Sequence, residues 1–348
     1  MTDGYFNVRR NSLSVLKKTS VATFPKIALV ELTNACNHEC IFCTNPIMKR
    51  KTENFDIEKY ESFIRRASKE GLEEVGLYST GEPFMTKNLH DYIAVAKNHG
   101  LKRVFITTNG ALADIEKFIK CFDSGLDSVK FSINAATRES YKKIHGYDDF
   151  DKVIKNVEDV YNYIKKKNLK IQLLAGFVYT NITYKEVDIF KEKYSKYFED
   201  VKFIKAHNQM GYLKDRAEKI SNKIDETKNL PDQRPGGTIN DAGYQPCEML
   251  WNRLHVTAEG NLTACCADYE NNLIFSKIDQ DKSIYDQFNN EKIQKLRTKH
   301  LENKLDGTIC KNCVYNTNDP YESISDIPKK ENSNDKKIEK INKRLLDF

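Results

Sequence analysis

Residues 27–45 read IALVELTNACNHECIFCTN, an apolar β-type run that breaks into a loop with three cysteines. Cys36, Cys40 and Cys43 follow the spacing C-x3-C-x2-C. Three thiolates this close in sequence can lie on one face of a curled loop and ligate three irons of a cubane, whereas structural zinc takes four ligands. The fourth iron then has no protein ligand and can bind a small chelating molecule. Zinc with His38 as a fourth ligand, or a chance clustering of cysteines, remain open alternatives.

The composition indicates a polar globular chain. Its 348 residues suffice for one large and one smaller domain, and hydrophobic residues make up 39% of it, with a mean hydropathy of -0.65. No segment approaches the roughly 18 to 20 apolar residues of a membrane span, and residues 1–24 lack the apolar core of a signal peptide. Nine cysteines, most of them closely grouped, therefore favour metal binding in a reducing cytoplasm over disulfides.

The charges are nearly balanced, with 56 basic and 50 acidic residues and a net charge of +6. Such a mixture is typical of a solvated surface. It disfavours nucleic acid or a membrane as a partner.

Residues 27–207 alternate strand-like and helix-like segments. The strand-like segments are 27–32, 74–78, 103–107, 128–133, 171–179 and 201–205, and the helical patterns lie near 56–70, 88–99, 112–124, 150–168 and 183–197. Short apolar strands between amphipathic helices predict a parallel α/β sheet with its functional groups at the C-terminal strand ends. Periodicity alone does not separate a partial barrel from an open doubly wound sheet.

Polar residues follow three of these strands. Glycine permits close approach to a ligand, a carboxylate accepts hydrogen bonds from an ammonium group, and hydroxyl or amide groups both donate and accept. The candidate residues are Thr80, Gly81 and Glu82 after the second strand, Thr108 and Asn109 after the third, and Ser132 and Asn134 after the fourth. Taken singly, each also suits an ordinary turn or cap.

A second group of cysteines follows a Pro- and Gly-containing connector at 211–244. These cysteines are Cys247, Cys265, Cys266, Cys310 and Cys313, and runs at 251–257 and 261–265 predict a β-hairpin between them. Four thiolates from a hairpin and a C-x2-C knuckle make a closed site for zinc or for a fully ligated iron-sulfur cluster. The local chemistry leaves both open.

The first cysteine loop resembles that of the radical S-adenosylmethionine (SAM) enzymes, including the aromatic Phe42 before the third cysteine. The resemblance implies a partial (β/α)6 TIM-like barrel and a 4Fe-4S cluster whose open iron holds the amino and carboxylate groups of SAM. It also implies SAM contacts at the strand-end residues named above, although Thr80 stands where many members have Gly.

The second group resembles the SPASM/twitch auxiliary-cluster domain, because four residues separate Gly260 from Cys265 and Cys310 and Cys313 form C-x2-C. The resemblance implies a small α+β domain with one auxiliary 4Fe-4S cluster ligated by Cys247, Cys265, Cys310 and Cys313. Cys265 fits the glycine spacing better than Cys266. The expected organisation is an arm at 1–24, a core at 25–210, a linker at 211–244, the auxiliary domain at 245–318 and a charged tail at 319–348.

These resemblances imply reductive cleavage of SAM and hydrogen abstraction from a small polar substrate of the sugar or aminocyclitol type, giving oxidation or epimerisation. The spacings of 18, 45 and 3 from Cys247 through Cys265 and Cys310 to Cys313 resemble those of dehydrogenases with one auxiliary cluster. Peptide modification is the alternative, and a metal-binding module that contacts nucleic acid leaves the strand-end motifs unexplained. We expect a reductant such as flavodoxin or ferredoxin as a partner, and His207, just past the sixth strand, as the catalytic base.

Overall fold

The computed structural model describes residues 5–6, 17–221, 224, 238–240, 243–315, 317, 319–328 and 334–345. The strands are β1 Ile27–Val30, β2 Glu74–Gly76, β3 Arg103–Thr108, β4 Ser128–Ser132, β5 Gln172–Tyr179, β6 Asp200–Lys205, β7 Thr238–Asn240, β8 Gly243–Gln245, β9 Leu254–Val256, β10 Asn261–Thr263 and β11 Ile274–Lys277. The α-helices are α1 Ile57–Lys69, α2 Leu89–Asn98, α3 Ile115–Asp123, α4 Arg138–His145, α5 Phe150–Lys167, α6 Val187–Tyr194, α7 Lys214–Ser221, α8 Met249–Asn252, α9 Ile284–Phe288, α10 Glu291–Leu301, α11 Ile309–Tyr315 and α12 Asp335–Arg344.

Nine strands form one sheet in the order β11-β10-β9-β1-β2-β3-β4-β5-β6. Strands β9 and β1 to β6 run parallel, and β10 and β11 are antiparallel additions at one edge. The first six strands lie side by side in chain order, without the reversal that defines a doubly wound sheet. The structure therefore confirms the α/β partial barrel and decides against the doubly wound alternative.

The two faces of the sheet differ in composition. Val75, Val104, Val129 and Ala175 are fully buried in the main apolar core with residues of the helices. Side chains alternate between the two faces along a strand. Lys130 and the residues two positions before and after it therefore point to the opposite face, which is the interior of the open barrel. The interior is therefore where strand residues can meet a ligand.

Local sequence signals explain where the helices begin. Asp56 caps α1 by accepting a hydrogen bond from the backbone N–H of Lys59, and Asp114 caps α3 in the same way through Lys117. The buried residues of α1 recur at the three- and four-residue spacing of one helix face, namely Tyr60, Phe63, Ile64 and Ala67. Helix α4 was not among the predicted helical segments, and it ends at Gly146 with φ 81°.

The C-terminal cysteine region continues the barrel sheet. Strand β9 pairs with β1 in the register Ala28 to Leu254, so the predicted hairpin covers the edge of β1 that faces away from β2. An uncovered edge strand leaves a row of backbone donors and acceptors unpaired, and the hairpin satisfies them. Backbone hydrogen bonds between β1 and β9 therefore connect the two regions of the chain that carry the cysteine groups.

Part of the predicted charged tail forms helix α12, which lies over the first cysteine loop. Ile341 and Leu345 pack with Ile41, Phe42 and Ile144 in a second apolar cluster. None of the helices in the described part of the chain combines the length and apolar composition needed to cross a bilayer.

Candidate functional site

Backbone hydrogen bonds hold the first cysteine loop against the end of α4. The N–H of Glu39 donates to the carbonyl of His145 at 3.1 Å, and the N–H of Ile41 donates to Ile144 at 3.0 Å. The amide of Asn45 then closes the loop by donating to the carbonyl of Asn34 at 2.8 Å and to that of Thr80 at 3.1 Å. The loop is thus fixed to α4 on one side and to the segment after β2 on the other.

The three cysteines of this loop are half-buried and near enough to affect one another's pKa. Burial raises the pKa of Cys36 to about 12, with nearby Glu82 and Cys43 raising it further. Burial also raises the pKa of Cys40, with added contributions from Cys43 and Cys36. Arg344 opposes this rise at Cys40 without overcoming it, so the protein alone holds these thiols neutral, and a metal cluster supplies the positive charge that thiolates need. The donor set therefore fits three corners of an iron-sulfur cubane.

His145, which sequence reasoning left without a role, contacts the second cysteine. Its Nδ1 lies 3.3 Å from the Sγ of Cys40 and its Nε2 lies 2.8 Å from the carbonyl oxygen of Ile133. A carbonyl only accepts, so Nε2 carries the proton and Nδ1 faces the sulfur as an acceptor. Burial lowers the pKa of His145 to about 3, so the ring is neutral. The sequence feature that could have identified His145 is its position directly before Gly146, at the end of a helix.

The zinc alternative for this loop does not fit the geometry. His38, Cys40 and His145 form the one group of three metal-ligating side chains within 4.8 Å of one another in the described part of the chain. Cys36 and Cys43 lie outside that group, and His38 places Nε2 3.1 Å from Asp149. A zinc ion held by three loop thiols and His38 needs all four atoms together.

Gly81 and Glu82 bring the segment after β2 onto the cysteine loop. A Cβ at Gly81 would lie 2.3 Å from the carbonyl oxygen of Thr33 and 2.5 Å from that of Ala35, so glycine is required there. The N–H of Glu82 donates to the Ala35 carbonyl at 2.8 Å. This segment and the loop are therefore a single packed unit.

The carboxylate of Glu82 is 3% exposed and is bound by the segment after β3. Its oxygens accept from the hydroxyl of Thr108 at 2.6 Å and from the N–H of Asn109 at 2.8 Å. Burial raises the pKa of Glu82 to about 7, against the opposing effect of these hydrogen bonds. Near neutral pH the carboxyl is thus poised between its two protonation states.

The other residues predicted to contact SAM fall into two sets. Some pack against or bond neighbouring segments, and one lies on the interior face of the barrel. Asn134 has φ 60° and accepts from the N–H of Val178 at 2.8 Å, so it connects β4 to β5. Asn109 donates through its amide to Asn37 of the cysteine loop at 2.8 Å. Phe42 is buried in the apolar cluster under α12. Ser132 lies on the interior face of β4, half-buried and beside Gly176.

The C-terminal thiols form a second group. Burial raises the pKa of Cys310, with nearby Cys247 and Cys313 raising it further. The neighbouring Cys266 and then burial raise the pKa of Cys265, and Cys247 and Cys313 again contribute. Four thiolates around zinc lie about 3.8 Å apart, because each Zn–S bond is about 2.3 Å. No three of these thiols are within 4.8 Å of one another in the described chain, so they are spread as separate irons of a cubane require.

Backbone contacts to sulfur separate Cys265 from Cys266. The Sγ of Cys43 accepts from the N–H two residues on, at Asn45, with a distance of 3.4 Å. The Sγ of Cys265 accepts in the same way from Ala267 at 3.3 Å. This shared geometry supports Cys265 as the ligand.

Arg50 joins the two cysteine regions, which the sequence analysis did not foresee. Its side chain is 5% exposed and donates to both carboxylate oxygens of Glu31 at 2.9 Å and to Glu259 at 3.1 and 3.3 Å. Glu31 follows β1, and Glu259 lies in the turn between β9 and β10. The sequence feature that could have indicated this buried network is Glu31, a charged residue directly after an apolar strand.

His207 lies two residues past β6, and its neighbour Gln209 contacts the second cysteine region. Its Nδ1 accepts from the N–H of Gln209 at 3.2 Å, and its Nε2 lies 3.3 Å from the Gln209 amide. The Oε1 of Gln209 in turn accepts from the hydroxyl of Tyr269 at 2.9 Å. Action as a base requires Gln209 to turn away from the ring.

A partial barrel with three thiols in the loop after β1 and a second group of thiols in the C-terminal region defines an iron-sulfur protein. The sequence model of the Radical SAM superfamily matches residues 30–187, and that of the SPASM iron-sulfur cluster-binding domain matches residues 247–314. The chain therefore belongs to the radical SAM superfamily and carries a C-terminal SPASM domain. Its cofactors are SAM and two 4Fe-4S clusters, one that binds SAM and one auxiliary cluster.

Among curated proteins, the chain is similar to a probable GTP 3',8-cyclase of Saccharolobus solfataricus, with 34% identity over 132 residues. That match covers 37% of this chain and 41% of the relative. It is also 27% identical over 265 residues to the molybdenum cofactor biosynthesis protein moc-5 of Caenorhabditis elegans, covering 68% of this chain and 43% of the relative. The chain thus spans about two fifths of the length of these relatives.

Solved structures show the same fold. BtrN in complex with AdoMet and 2-DOIA superposes with a TM-score of 0.56 at 18% identity, covering 85% of this chain and 97% of BtrN. SuiB of Streptococcus suis bound to precursor peptide SuiA gives a TM-score of 0.61 at 15% identity, covering 84% of this chain and 71% of SuiB. Both likenesses concern architecture alone.

Proposed function

We propose that this enzyme cleaves SAM reductively and removes a hydrogen atom from a small polar substrate of the sugar or aminocyclitol type. The observation that carries the proposal is the contact between the two thiol regions. The hydroxyl of Ser79 donates to the carbonyl of Cys266 at 3.3 Å, and the N–H of Lys49 donates to Glu270 at 2.8 Å. A substrate held between these regions lies beside both.

The barrel interior next to Ser132 is polar. The Nζ of Lys130 lies 5.6 Å from the ring centroid of Tyr78. Gly176 lies against these residues, since a Cβ there would be in ordinary contact at 3.8 Å from the Cδ of Lys130 and 4.0 Å from the Oγ of Ser132. An ammonium, a phenol ring and a hydroxyl on the interior face of the barrel suit a small substrate rich in hydroxyl or amino groups.

When bound, the clusters and SAM supply the electron and the 5'-deoxyadenosyl radical that attacks an unactivated C–H bond. The chain supplies position and charge. In the proposed site Cys36, Cys40 and Cys43 hold the SAM-binding cluster, and Cys247, Cys265, Cys310 and Cys313 hold the auxiliary cluster. Glu82 accepts a hydrogen bond from the amino group of SAM, and Thr80, Gly81, Thr108, Asn109, Ser132, Asn134 and Phe42 shape its pocket.

The outcome is oxidation if the substrate radical loses an electron and a proton, and epimerisation if it regains a hydrogen atom. For oxidation of an alcohol, His207 is the proposed acceptor of the hydroxyl proton, once Gln209 releases it. A flavodoxin or ferredoxin is the proposed electron donor.

Peptide modification is the second candidate, favoured by the likeness to SuiB with its bound precursor peptide. The curated relatives add GTP as a third substrate to test. Anaerobically reconstituted protein is incubated with SAM, dithionite and, in turn, aminocyclitols and sugars, candidate precursor peptides, and GTP. We expect 5'-deoxyadenosine to rise with the first set alone; a rise with peptides or GTP alone overturns the substrate class.

The cysteine assignments have their own test. We expect about eight irons in the intact protein, and replacement of Cys36, Cys40 and Cys43 together by Ala to remove one cluster and all SAM cleavage. Reductive SAM cleavage by that variant would refute the proposed function.

A further inference from the structure

Arg216 is a buried arginine that has no part in the sites described so far. It lies in α7 and is 8% exposed, and its Nη1 has no hydrogen-bond partner among the described residues. Its Nη2 lies 3.5 Å from the amide oxygen of Asn342, and none of the described carboxylates forms an ion pair with it. Burial and then the nearby Arg344 lower the pKa of Arg216. A buried charge is normally paired, so this guanidinium indicates an anionic partner.

Arg216 lines a cavity between the first cysteine loop and the second cysteine region, here called the Arg216 cavity. Its volume of about 430 Å³ lies within the range of about 300–1,000 Å³ that is typical of small-ligand sites. One wall includes Thr44, which directly follows Cys43, and another includes Glu270 and Asn272 of the second cysteine region. The proposed substrate lies between the same two regions.

Two tyrosine hydroxyls add hydrogen-bond donors to the Arg216 cavity. The amide of Asn272 donates to the hydroxyl of Tyr212 at 2.6 Å and to that of Tyr321 at 3.4 Å. Since each hydroxyl accepts in these contacts, each keeps its own proton for a further acceptor. Burial raises the pKa of Tyr212, so its hydroxyl remains protonated. Tyr321 is exposed, so the cavity can be reached from solvent on that side.

The charges of the cavity wall also favour an anion. Arg216 and Lys49 are its basic side chains, and Glu270 is the one acidic side chain among the described lining residues. The carboxylate of Glu270 is already bound on the wall, because it accepts from the backbone N–H of Lys49 at 2.8 Å. The guanidinium of Arg216 therefore remains without a counter-charge in the described part of the chain.

We propose that the Arg216 cavity binds an anionic group of the substrate, a phosphate or a carboxylate, through the guanidinium of Arg216. The inference rests on the proposed function and deepens it, because it makes the substrate a sugar or aminocyclitol with an anionic substituent. A guanidinium donates two parallel N–H bonds to either kind of group. The hydroxyls of Tyr212 and Tyr321 are further donors for the remaining oxygens.

The deciding test measures anion binding without turnover. Reconstituted full-length protein is titrated anaerobically with inorganic phosphate and, separately, with acetate, at constant ionic strength in a calorimeter. We expect one or both to bind, and Arg216→Met to lower the affinity at least about tenfold, as expected for loss of hydrogen bonds to a charged group. Binding of phosphate alone assigns a phosphate, and binding of acetate alone assigns a carboxylate.

Two further variants separate the site from a general effect of charge. Arg216→Lys keeps the charge and loses the two-pronged geometry, so its affinity should lie between those of Arg216→Met and the unaltered protein. Arg66→Met is the matched control, because Arg66 also has guanidinium nitrogens without a partner among the described residues and lies in α1, outside the cavity. We expect it to leave anion affinity within about twofold of the unaltered protein.

SAM has a carboxylate of its own, so its affinity is measured with the same variants. We expect Arg216→Met to retain both clusters and to change SAM affinity by less than about twofold, well below the loss for a removed ionic hydrogen bond. A loss of SAM affinity equal to the loss of anion affinity assigns Arg216 to SAM and overturns the inference. Failure of the unaltered protein to bind either anion, or equal anion affinity in all the Arg216 variants, also overturns it.

The substrate assay connects the cavity to turnover. Among the sugars and aminocyclitols that raise 5'-deoxyadenosine, we expect those with a phosphate or carboxylate to act at lower concentration than their neutral parents, and Arg216→Met to abolish this preference. A preference for the neutral parents overturns the inference and leaves the proposed function standing. If none of these compounds raises 5'-deoxyadenosine, the proposed function fails, whereas the calorimetric result still decides whether Arg216 binds an anion.

Discussion

Replacement of Gly81 by Ala tests whether the segment after β2 and the cysteine loop are one packed unit. The added Cβ would lie 2.3 Å from the Thr33 carbonyl oxygen, and ordinary contact begins at 3.4 Å, so the two backbones must separate by about 1 Å. Both nearest atoms are carbonyl oxygens of the cysteine loop, which cannot rotate away as a side chain can.

That separation breaks identified hydrogen bonds. The bond from the Glu82 N–H to Ala35 is 2.8 Å long and does not survive a 1 Å shift, and the Asn45 amide can no longer reach both Asn34 and Thr80. Each lost buried bond costs about 1–3 kcal/mol. We therefore expect Gly81→Ala to lower the free energy of unfolding by about 2–5 kcal/mol.

The assay is urea unfolding of the cluster-free protein followed by circular dichroism, with iron content after anaerobic reconstitution as a second readout. The control is Gly176→Ala, whose new Cβ would be 3.8 Å from its nearest neighbour and which we expect to change stability by less than about 1 kcal/mol. If Gly81→Ala matches this control in stability and retains full iron, the close approach of the two backbones is not required.

Three further predictions concern the buried charges and the rim of the barrel. Glu31→Ala should lower the free energy of unfolding by about 3–5 kcal/mol, because it leaves Arg50 buried with part of its charge uncompensated. The double variant Glu31→Leu with Arg50→Met should lose less stability, since neither charge remains. A larger loss in the double variant contradicts this. Affinity for SAM, measured calorimetrically, should rise with pH through about 7, the pKa of Glu82, and Glu82→Gln should remove this dependence. His207→Ala should retain both clusters and SAM cleavage yet form little oxidised product; unchanged product formation excludes His207 as the base.

The sign of the Glu82 prediction follows from its environment. Burial raises its pKa in the folded protein, so below about pH 7 the carboxyl is protonated and neutral. The sulfonium charge and the amino N–H donors of SAM favour the ionised form, so SAM has to displace that proton at lower pH. Binding therefore releases a proton below pH 7 and strengthens by up to tenfold per pH unit until the carboxyl is ionised in the free protein.

The strands were predictable because their signal is local. Each of the six core strands is a short apolar run between polar loops, and the C-x3-C-x2-C spacing marks the end of β1 without reference to the rest of the chain. Helix α4 was missed because its sequence, RESYKKIH, is short and mostly polar, with Tyr141 and Ile144 as its apolar residues. Its burial arises from contacts made by Tyr141, Ile144 and His145 with the cysteine loop.

The contacts between distant segments could not be predicted in this way. The Arg50 to Glu259 ion pair joins residues 209 positions apart, and the pairing of His255 with Leu29 depends on which edge of the sheet the C-terminal hairpin covers. Composition and periodicity describe each segment alone and leave open which segments meet.

The hydrogen bonds of the strand-end residues change what their sequence positions mean. Thr108, Asn109 and Asn134 were expected to contact SAM through their side chains, and the structure shows each of these side chains bound to a neighbouring segment. Groups held in this way fix the loops before a ligand arrives, which lowers the entropy lost on binding. Glu82 differs from these residues. The three groups that donate hydrogen bonds to its carboxylate are neutral, and burial still raises its pKa, so a positively charged group on a ligand would stabilise the ionised form. SAM carries a positive charge at its sulfonium and N–H donors at its amino group, and this complementarity supports the proposed role of Glu82 in SAM recognition and of its neighbours in shaping the pocket.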